Sequence, residues 1–232
     1  MGVAMTRAYL AVLSMIIQLI VANCASAQTP ARGLDWNGFH WGIFSGYAVG
    51  GHWKGDAPDY PHQPVNGWFG GATIGYDHLL ASGWVIGVET DFALADIKLT
   101  DNYFDAAITS RINYLGTLRP RLGYAWGGTL IYLTGGLAYG QMEFTVNHWG
   151  NLPGSLVFQA SQAQWHLGYT IGAGAEWHLF NNVSLKAEYL WIDLPTQTYT
   201  PGPVPAAFTG SSQADMGWSG NTVKVGLNWR FH

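Results

Sequence analysis

The chain has 232 residues, of which only 10% are charged, while 31 are glycine and 12 are tryptophan. A soluble domain usually carries roughly a quarter charged residues, and 10 Lys+Arg against 14 Asp+Glu exclude the basic field of a nucleic-acid-binding protein. A mean hydropathy of +0.07 is far below that of a helical membrane protein, and an aromatic content of 15% excludes intrinsic disorder.

The first element in chain order is an export signal. Arg7 is the sole charge before an apolar run from Tyr9 to Val21, and Ala25-Ser26-Ala27 places small residues where signal peptidase needs them, which predicts cleavage after Ala27. Cys24 is preceded by Asn23 rather than the small residue a lipidation signal requires, so the reading is cleavage without a lipid. Loss of residues 1–27 removes Arg7 and Cys24, leaving 9 Lys+Arg against 14 Asp+Glu and no thiol for a disulfide. After Ala27 no run of eighteen apolar residues occurs, so no membrane helix is expected.

What recurs instead is a period of two. From Gln164 to Phe180, the odd positions are apolar (Trp165, Leu167, Tyr169, Ile171 and onward), and the even ones are polar or glycine (His166, Gly168, Thr170, Gly172, Glu176). That division requires a strand, since a helix would spread it round its circumference. The same parity sets Trp84, Ile86, Val88 and Phe92 against Glu89 and Asp91, and Ile112, Tyr114, Leu118 and Leu122 against Arg111, Arg119 and Arg121. It sets Leu185, Tyr189 and Trp191 against Lys186 and Glu188, and Val223, Val225, Leu227, Trp229 and Phe231 against Lys224, Asn228 and Arg230. Fainter alternation over 39–49, 68–78 and 129–141 completes eight strands. Pro120 lacks a ladder donor, which predicts a bulge there.

The connections alternate in length. Tight turns fall at Ala81-Ser82-Gly83, Trp126-Gly127-Gly128 and Asn181-Asn182, and long gaps at 51–65, 99–107, 146–163 and 195–219, the last rich in proline. This is the layout of an all-β, eight-stranded, antiparallel up-and-down transmembrane barrel with three short periplasmic turns and four long extracellular loops. A soluble calyx would turn its apolar face inward. The polar faces here are too poor in charge to meet water, and aromatics gather near strand ends as interfacial girdles do.

Several blocks, "WNGFHWGIFSGYAVGG", "LGTLRPRLGYAWGGTLIYLTGGLAYG", "GYTIGAGAEWHLFNNVSLKAEYLWIDL" and "VKVGLNWRF", resemble the small outer-membrane barrels of alphaproteobacteria. That porin family includes surface proteins of brucellae and rhizobia and haemin-binding proteins of bartonellae. The resemblance runs from Trp36 to Phe231 and implies an OmpA-like barrel in the outer membrane of a Gram-negative cell. It divides the chain into a signal peptide (1–27), a periplasmic segment (28–35) and a barrel (36–232). Lys224, Gly226, Trp229 and Phe231 match the family's assembly signal, which implies barrel-assembly machinery and periplasmic chaperones as partners, along with outer-membrane lipid and lipopolysaccharide. His232, beyond the terminal aromatic, departs from that pattern.

Parity predicts a charged interior made of Glu89, Asp91, Glu176 and Glu188 with Arg111, Arg119, Arg121, Lys186, Lys224 and Arg230. Eight strands enclose only enough room for side chains, so the expectation is a charge-paired plug, with glycines making room for the long arginines. The alternative is a narrow porin-like channel along the same residues. Catalysis would need a His and a Ser together at a rim; His148 and His166 flank Ser155 and Ser161, which read as loop residues in a chain that is not an enzyme. His52, Asp56, Asp59, Tyr60 and His62 share the first loop, where a further alternative is haem capture. No fixed ligand spacing supports it, so no cofactor, metal or catalytic residue is assigned, and the loops are left to contact host or surface ligands.

Overall fold

The computed structural model describes residues 35–55, 65–102, 106–149, 156–200 and 214–231. The predicted cleavage residues Ala25 and Ala27, residues 28–34, the first-loop residues Asp56, Asp59, Tyr60 and His62, Ser155, and His232 lie outside them. Eight strands follow one another: β1 (Gly38–Lys54), β2 (Val65–Leu79), β3 (Trp84–Asn102), β4 (Ala106–Trp126), β5 (Thr129–Trp149), β6 (Leu156–Phe180), β7 (Val183–Tyr199) and β8 (Ala214–Phe231). Each pairs antiparallel with its neighbours in sequence, and β1 pairs with β8 from Phe39↔Phe231 to Lys54↔Gly217, closing the barrel.

The three tight turns fall where predicted, and each places one residue in the left-handed region: Gly83 (φ 86°), Gly127 (φ 58°) and Asn181 (φ 48°). The strands reach much further into the predicted loops than the sequence suggested. Leu99–Asn102 pair with Ala107–Ser110, leaving only 103–105 between β3 and β4, and β5 and β6 remain paired up to Trp149↔Leu156. About ten residues suffice to cross a bilayer, so the 25 residues of β6 carry the wall well beyond it. Alternating hydrophobicity marks only the part of a strand that meets lipid, so strand ends placed by that signal come out short.

Outward-facing residues form an apolar belt of Ile43, Ile74, Ile86, Leu122, Leu133 and Ile171, among others, all strongly exposed. Aromatic pairs border it at both ends. Trp41 stacks on Trp229 (4.8 Å) and Phe39 meets Tyr76 edge-on (4.9 Å) toward the turns, while Tyr47–Trp68 (4.9 Å), Tyr114–Trp165 (6.0 Å) and Tyr169–Trp191 (5.5 Å) mark the other border. A water-facing calyx would have the reverse arrangement.

Two local expectations need correction. Pro120 sits opposite Val88 with no register shift, and the β4–β5 pairing keeps the same register on both sides of it (Leu118↔Leu137, Arg121↔Thr134), so the strand passes the proline without a bulge; the Pro120 carbonyl accepts from Thr134 Oγ1 at 2.9 Å. The irregularity is instead at Asn113, where the pairing of β4 with both β3 and β5 slips by one residue. A one-residue slip exchanges the faces of a strand. Ile112, expected outside, is therefore fully buried inside, and Arg111, expected in the lumen, is 44% exposed on the outer wall.

The chain's single Cys lies in the predicted leader, so cysteine scanning of the refolded barrel tests this flip directly. Arg111→Cys is expected to react with a charged maleimide and Ile112→Cys to stay unlabelled until the barrel is unfolded; equal labelling would restore unbroken alternation.

Candidate functional site

The interior is divided along the barrel axis. Toward the turns it is charged, and toward the loops it is apolar. Among the described residues, five acids (Asp77, Glu89, Asp91, Glu176, Glu188) and five bases (Arg119, Arg121, Lys186, Lys224, Arg230) are buried in the lower half with His40. With the histidine neutral, their formal charges cancel.

The floor is built from the barrel's first and last residues. The Trp36 indole covers the Arg230 guanidinium (5.1 Å to the ring centroid), and Arg230 Nη1 donates to the Trp36 carbonyl and to Asp77 Oδ2, both at 2.8 Å. Arg121 grips Asp77 through two donors, Nε to Oδ1 at 2.6 Å and Nη2 to Oδ2, and its Nη1 donates to Glu176 at 2.7 Å. Ser184 Oγ donates to the other Glu176 oxygen at 3.1 Å. His40 lies between two carboxylates, with Nε2 hydrogen-bonded to Glu89 at 3.3 Å and Nδ1 3.5 Å from Asp77 without a hydrogen bond.

Above the floor, Lys186 Nζ donates to both oxygens of Glu89 at 2.8 and 2.9 Å. Arg119 reaches Glu89, Asp91 and Glu188 at 3.0–3.2 Å from one nitrogen, while its Nε donates to Thr117 Oγ1 at 2.8 Å. Lys224 closes the tier, bonded to Asp91 (2.6 Å) and Glu188 (2.7 Å) with its ammonium 4.8 Å from the Phe44 ring centre. The Tyr132 hydroxyl donates to Glu188 at 2.8 Å. Glycines on neighbouring strands leave room for these groups: a side chain at Gly87 would strike Asp77, and one at Gly174 would strike Tyr132 and Glu188.

Phe44 also begins the apolar half. Phe69, Ile97, Ile112, Leu115, Met142, Phe144, Leu190, Leu194 and Trp218 fill the lumen toward the loops. The charged interior predicted from parity therefore fills only the half toward the turns. Past the lipid belt both faces of a strand can be apolar, because the inner face there packs like a soluble core. Polar side chains sit within this region too: His166 and Tyr199 are hydrogen-bonded to each other at 2.8 Å, and Ser110 Oγ donates to Met216 Sδ at 3.9 Å.

Nine of the ten predicted lumen residues are thus placed in one network, and Arg111 is placed outside it. Three members were missed. Asp77 and His40 lie on the inward parity of β2 and β1, opposite Ile74 and Tyr76, and Phe39 and Trp41, so strict counting on those fainter strands would have found them. Tyr132 escaped because an aromatic residue was assigned to lipid. Of the assembly-signal residues, Lys224 and Gly226 face inward at the β1–β8 seam, and Trp229 and Phe231 face outward.

Of the His and Ser residues around the β5–β6 connection, Ser155 and the His148 side chain lie outside the described residues. His166 is buried inside, whereas Ser161 is on the outer face, donating to Glu143 at 2.8 Å. Beyond the aromatic border, hydrogen bonds from Asn113 and Ser161 hold the Glu143 carboxyl below its usual range. His52 is exposed, and its first-loop companions lie outside the described residues.

Residues 16–231 match the family model of the outer membrane protein beta-barrel domain. The chain belongs to this outer-membrane β-barrel family. It is 31% identical over 245 aligned positions to the 31 kDa outer-membrane immunogenic protein of Brucella melitensis, covering 98% of each chain, and 24% identical to a 22 kDa outer membrane protein of Rhizobium leguminosarum, covering 82% and 79%. Among solved structures it resembles OprG of Pseudomonas aeruginosa, with a TM-score of 0.54, 14% identity, and 87% and 99% of the two chains covered. A major outer membrane protein of Thermus thermophilus gives a TM-score of 0.51 at 15% identity over 83% and 99%. As a member of this outer-membrane family, the chain has its turns on the periplasmic side and its loops outside.

Removing one partner of a buried charge network leaves uncompensated charge, at a cost of about 3–5 kcal/mol. Arg121→Met, which strands Asp77 and Glu176, is expected to lower urea-unfolding stability by about that much. Arg111→Gln, on the exposed wall, is expected to stay within about 0.5 kcal/mol of wild type.

Proposed function

We propose that the protein is a structural and surface-interaction barrel of the outer membrane, sealed along its axis and without catalysis. The observation that carries this reading is the interior: a charge-balanced, mutually bonded plug of ten ionised side chains capped by a packed apolar tier. An ion crossing it would have to break paired charges that are individually costly to strand and then enter a region lined by phenylalanine, leucine and methionine, where it would lose its hydration. The separation of His166 from Ser161 by the barrel wall supports a non-enzymatic role.

The role at the surface follows from how much protein stands outside the lipid. Paired strands project beyond the aromatic border, and the name of the Brucella relative, an outer-membrane immunogenic protein, supports exposure at the cell surface. Host or surface ligands would meet this projecting wall and its loops. Insertion would use the barrel-assembly machinery and periplasmic chaperones through Lys224, Gly226, Trp229 and Phe231, with the two aromatics on the lipid-facing side of β8.

Planar-bilayer recording of the purified, refolded barrel tests the sealed lumen. The expected outcome is insertion without stable conductance steps; reproducible steps of fixed size would replace this reading with a narrow channel.

A further inference from the structure

Above the lipid belt one seam of the wall is not zipped. The ladder between β6 and β7 ends at Tyr169↔Asp193, at the height of the Tyr169–Trp191 aromatic pair, although β6 begins at Leu156 and β7 runs on to Tyr199. The two strands are still tight at Gly168, where a Cβ would collide with the Asp193 carbonyl. Beyond it, among the described residues, side chains replace the ladder. His166 Nδ1 donates to the Pro195 carbonyl at 2.9 Å, Gln164 Nε2 donates to the Thr198 carbonyl at 3.0 Å, and Gln162 Oε1 accepts from the Thr200 N–H at 2.7 Å. In the other direction Gln197 Nε2 donates to the Trp165 carbonyl at 3.2 Å.

The cause is local to β7. Pro195 has no N–H to offer a ladder, and the pairing of β7 with β8 slips by one residue between Leu194 and Gln197. Below the slip the Trp191 carbonyl points at β6, where it accepts from Thr170 Oγ1; above it the even-numbered Thr198 and Thr200 point that way. A ladder in the old register therefore cannot resume. In the sequence that follows β7, Pro201, Pro203 and Pro205 also lack the donor a ladder partner needs.

The β6 side of this fork keeps its form. Its ladder with β5 is regular from Asn147↔Gln159 to Gln141↔Trp165. Trp165 turns its carbonyl toward β7, and backbone groups of an antiparallel strand point alternately to its two neighbours, so Ala163, Ser161 and Gln159 turn theirs the same way. Side chains on both faces of 159–165 are exposed or half-buried. An open edge of this kind is a template for another strand.

We propose that the β6 edge in this fork is a strand-addition site, at which an extended, proline-free segment of another protein enters from the extracellular end and pairs with residues 159–165, displacing the glutamine links. In such pairing main-chain bonds supply the affinity, and side chains at alternate positions the selectivity. One row of the incoming side chains lies beside Ser161, Ala163 and Trp165 on the outer face, and the other beside Gln162 and Gln164 on the inner one, so an alternating apolar and hydroxyl-bearing strand fits. The inference rests on the reading of the barrel as a surface-interaction protein. Its failure would leave the sealed lumen, which conductance tests, where it stands.

Fluorescence anisotropy with the refolded barrel in detergent tests the site, with heat-modifiable gel mobility as the control for folding. The probe is a labelled, end-blocked peptide of alternating threonine and valine with a lysine at each end. It is expected to bind, and its fully N-methylated analogue to bind at least about tenfold more weakly, since that analogue has no main-chain donors. Ala163→Pro removes an N–H directed at the fork and leaves the bonds to β5, and is expected to weaken the unmodified peptide about tenfold. Gln164→Ala with Gln197→Ala removes links the peptide must displace and is expected to strengthen binding about threefold, whereas a merely structural role for these glutamines would not raise it. No binding by the unmodified peptide, equal binding of the N-methylated one, or wild-type binding by folded Ala163→Pro overturns the proposal. So does sedimentation of the barrel as a dimer that Ala163→Pro dissociates, which would assign the edge to a second copy of this chain.

Discussion

Everything in this barrel depends on satisfying backbone hydrogen bonds where water is absent. In hydrocarbon an unpaired sheet edge costs several kcal/mol per group, so a sheet must close on itself. Here closure brings β1 against β8, and the residues that make the seam are small or flat where the strands press together: Phe44 lies opposite Gly226, and Gly42 opposite Asn228. Once eight strands are joined, the internal diameter is set, and with it the volume that side chains must fill. The chemistry of the lumen is a response to that fixed volume.

Two ways of filling it are used in series. The periplasmic half contains long ionised side chains whose charges cancel, each acid held by two or more donors, so the desolvation cost of one group is shared among several partners. The extracellular half contains hydrocarbon packed as in a soluble core. Phe44 joins them, with the Lys224 ammonium over its ring and Phe69 against it in an edge-to-face contact. The charged half sets the register of individual residues, since a misplaced strand would leave charges unpaired. The apolar half tolerates more variation, because its contacts are non-directional.

Much of this could be read in the sequence. The long odd–even division of β6, the acids of β3 and the bases of β4 and β8 gave both the strands and the inward side of each, because lipid imposes an apolar requirement on one face alone. The same reasoning failed where that requirement ends. Above the belt, Ile97, Ile112 and Leu194 face inward, and a periodicity argument that equates apolar with lipid-facing assigns them wrongly or stops the strand short. The slip at Asn113 was illegible for a different reason. Asn113 resembles any polar residue in an alternating run, and only the register shifts toward β3 and β5 reveal the exchange of faces. Pro120 gave a real signal with the wrong consequence, since the ladders on both sides of the proline keep their register without bending the strand.

The projection of paired strands past the membrane determines what kind of surface the cell presents. A partner approaching β3 to β6 meets side chains fixed at sheet spacing, from residues far apart in the chain: Thr145 beside Ser161, and Thr100 beside Thr109. Recognition of this wall is therefore discontinuous in sequence and exists only while the barrel is closed. A binder selected on it would lose its target on denaturation, and peptides copied from single strands would make poor substitutes for the folded wall.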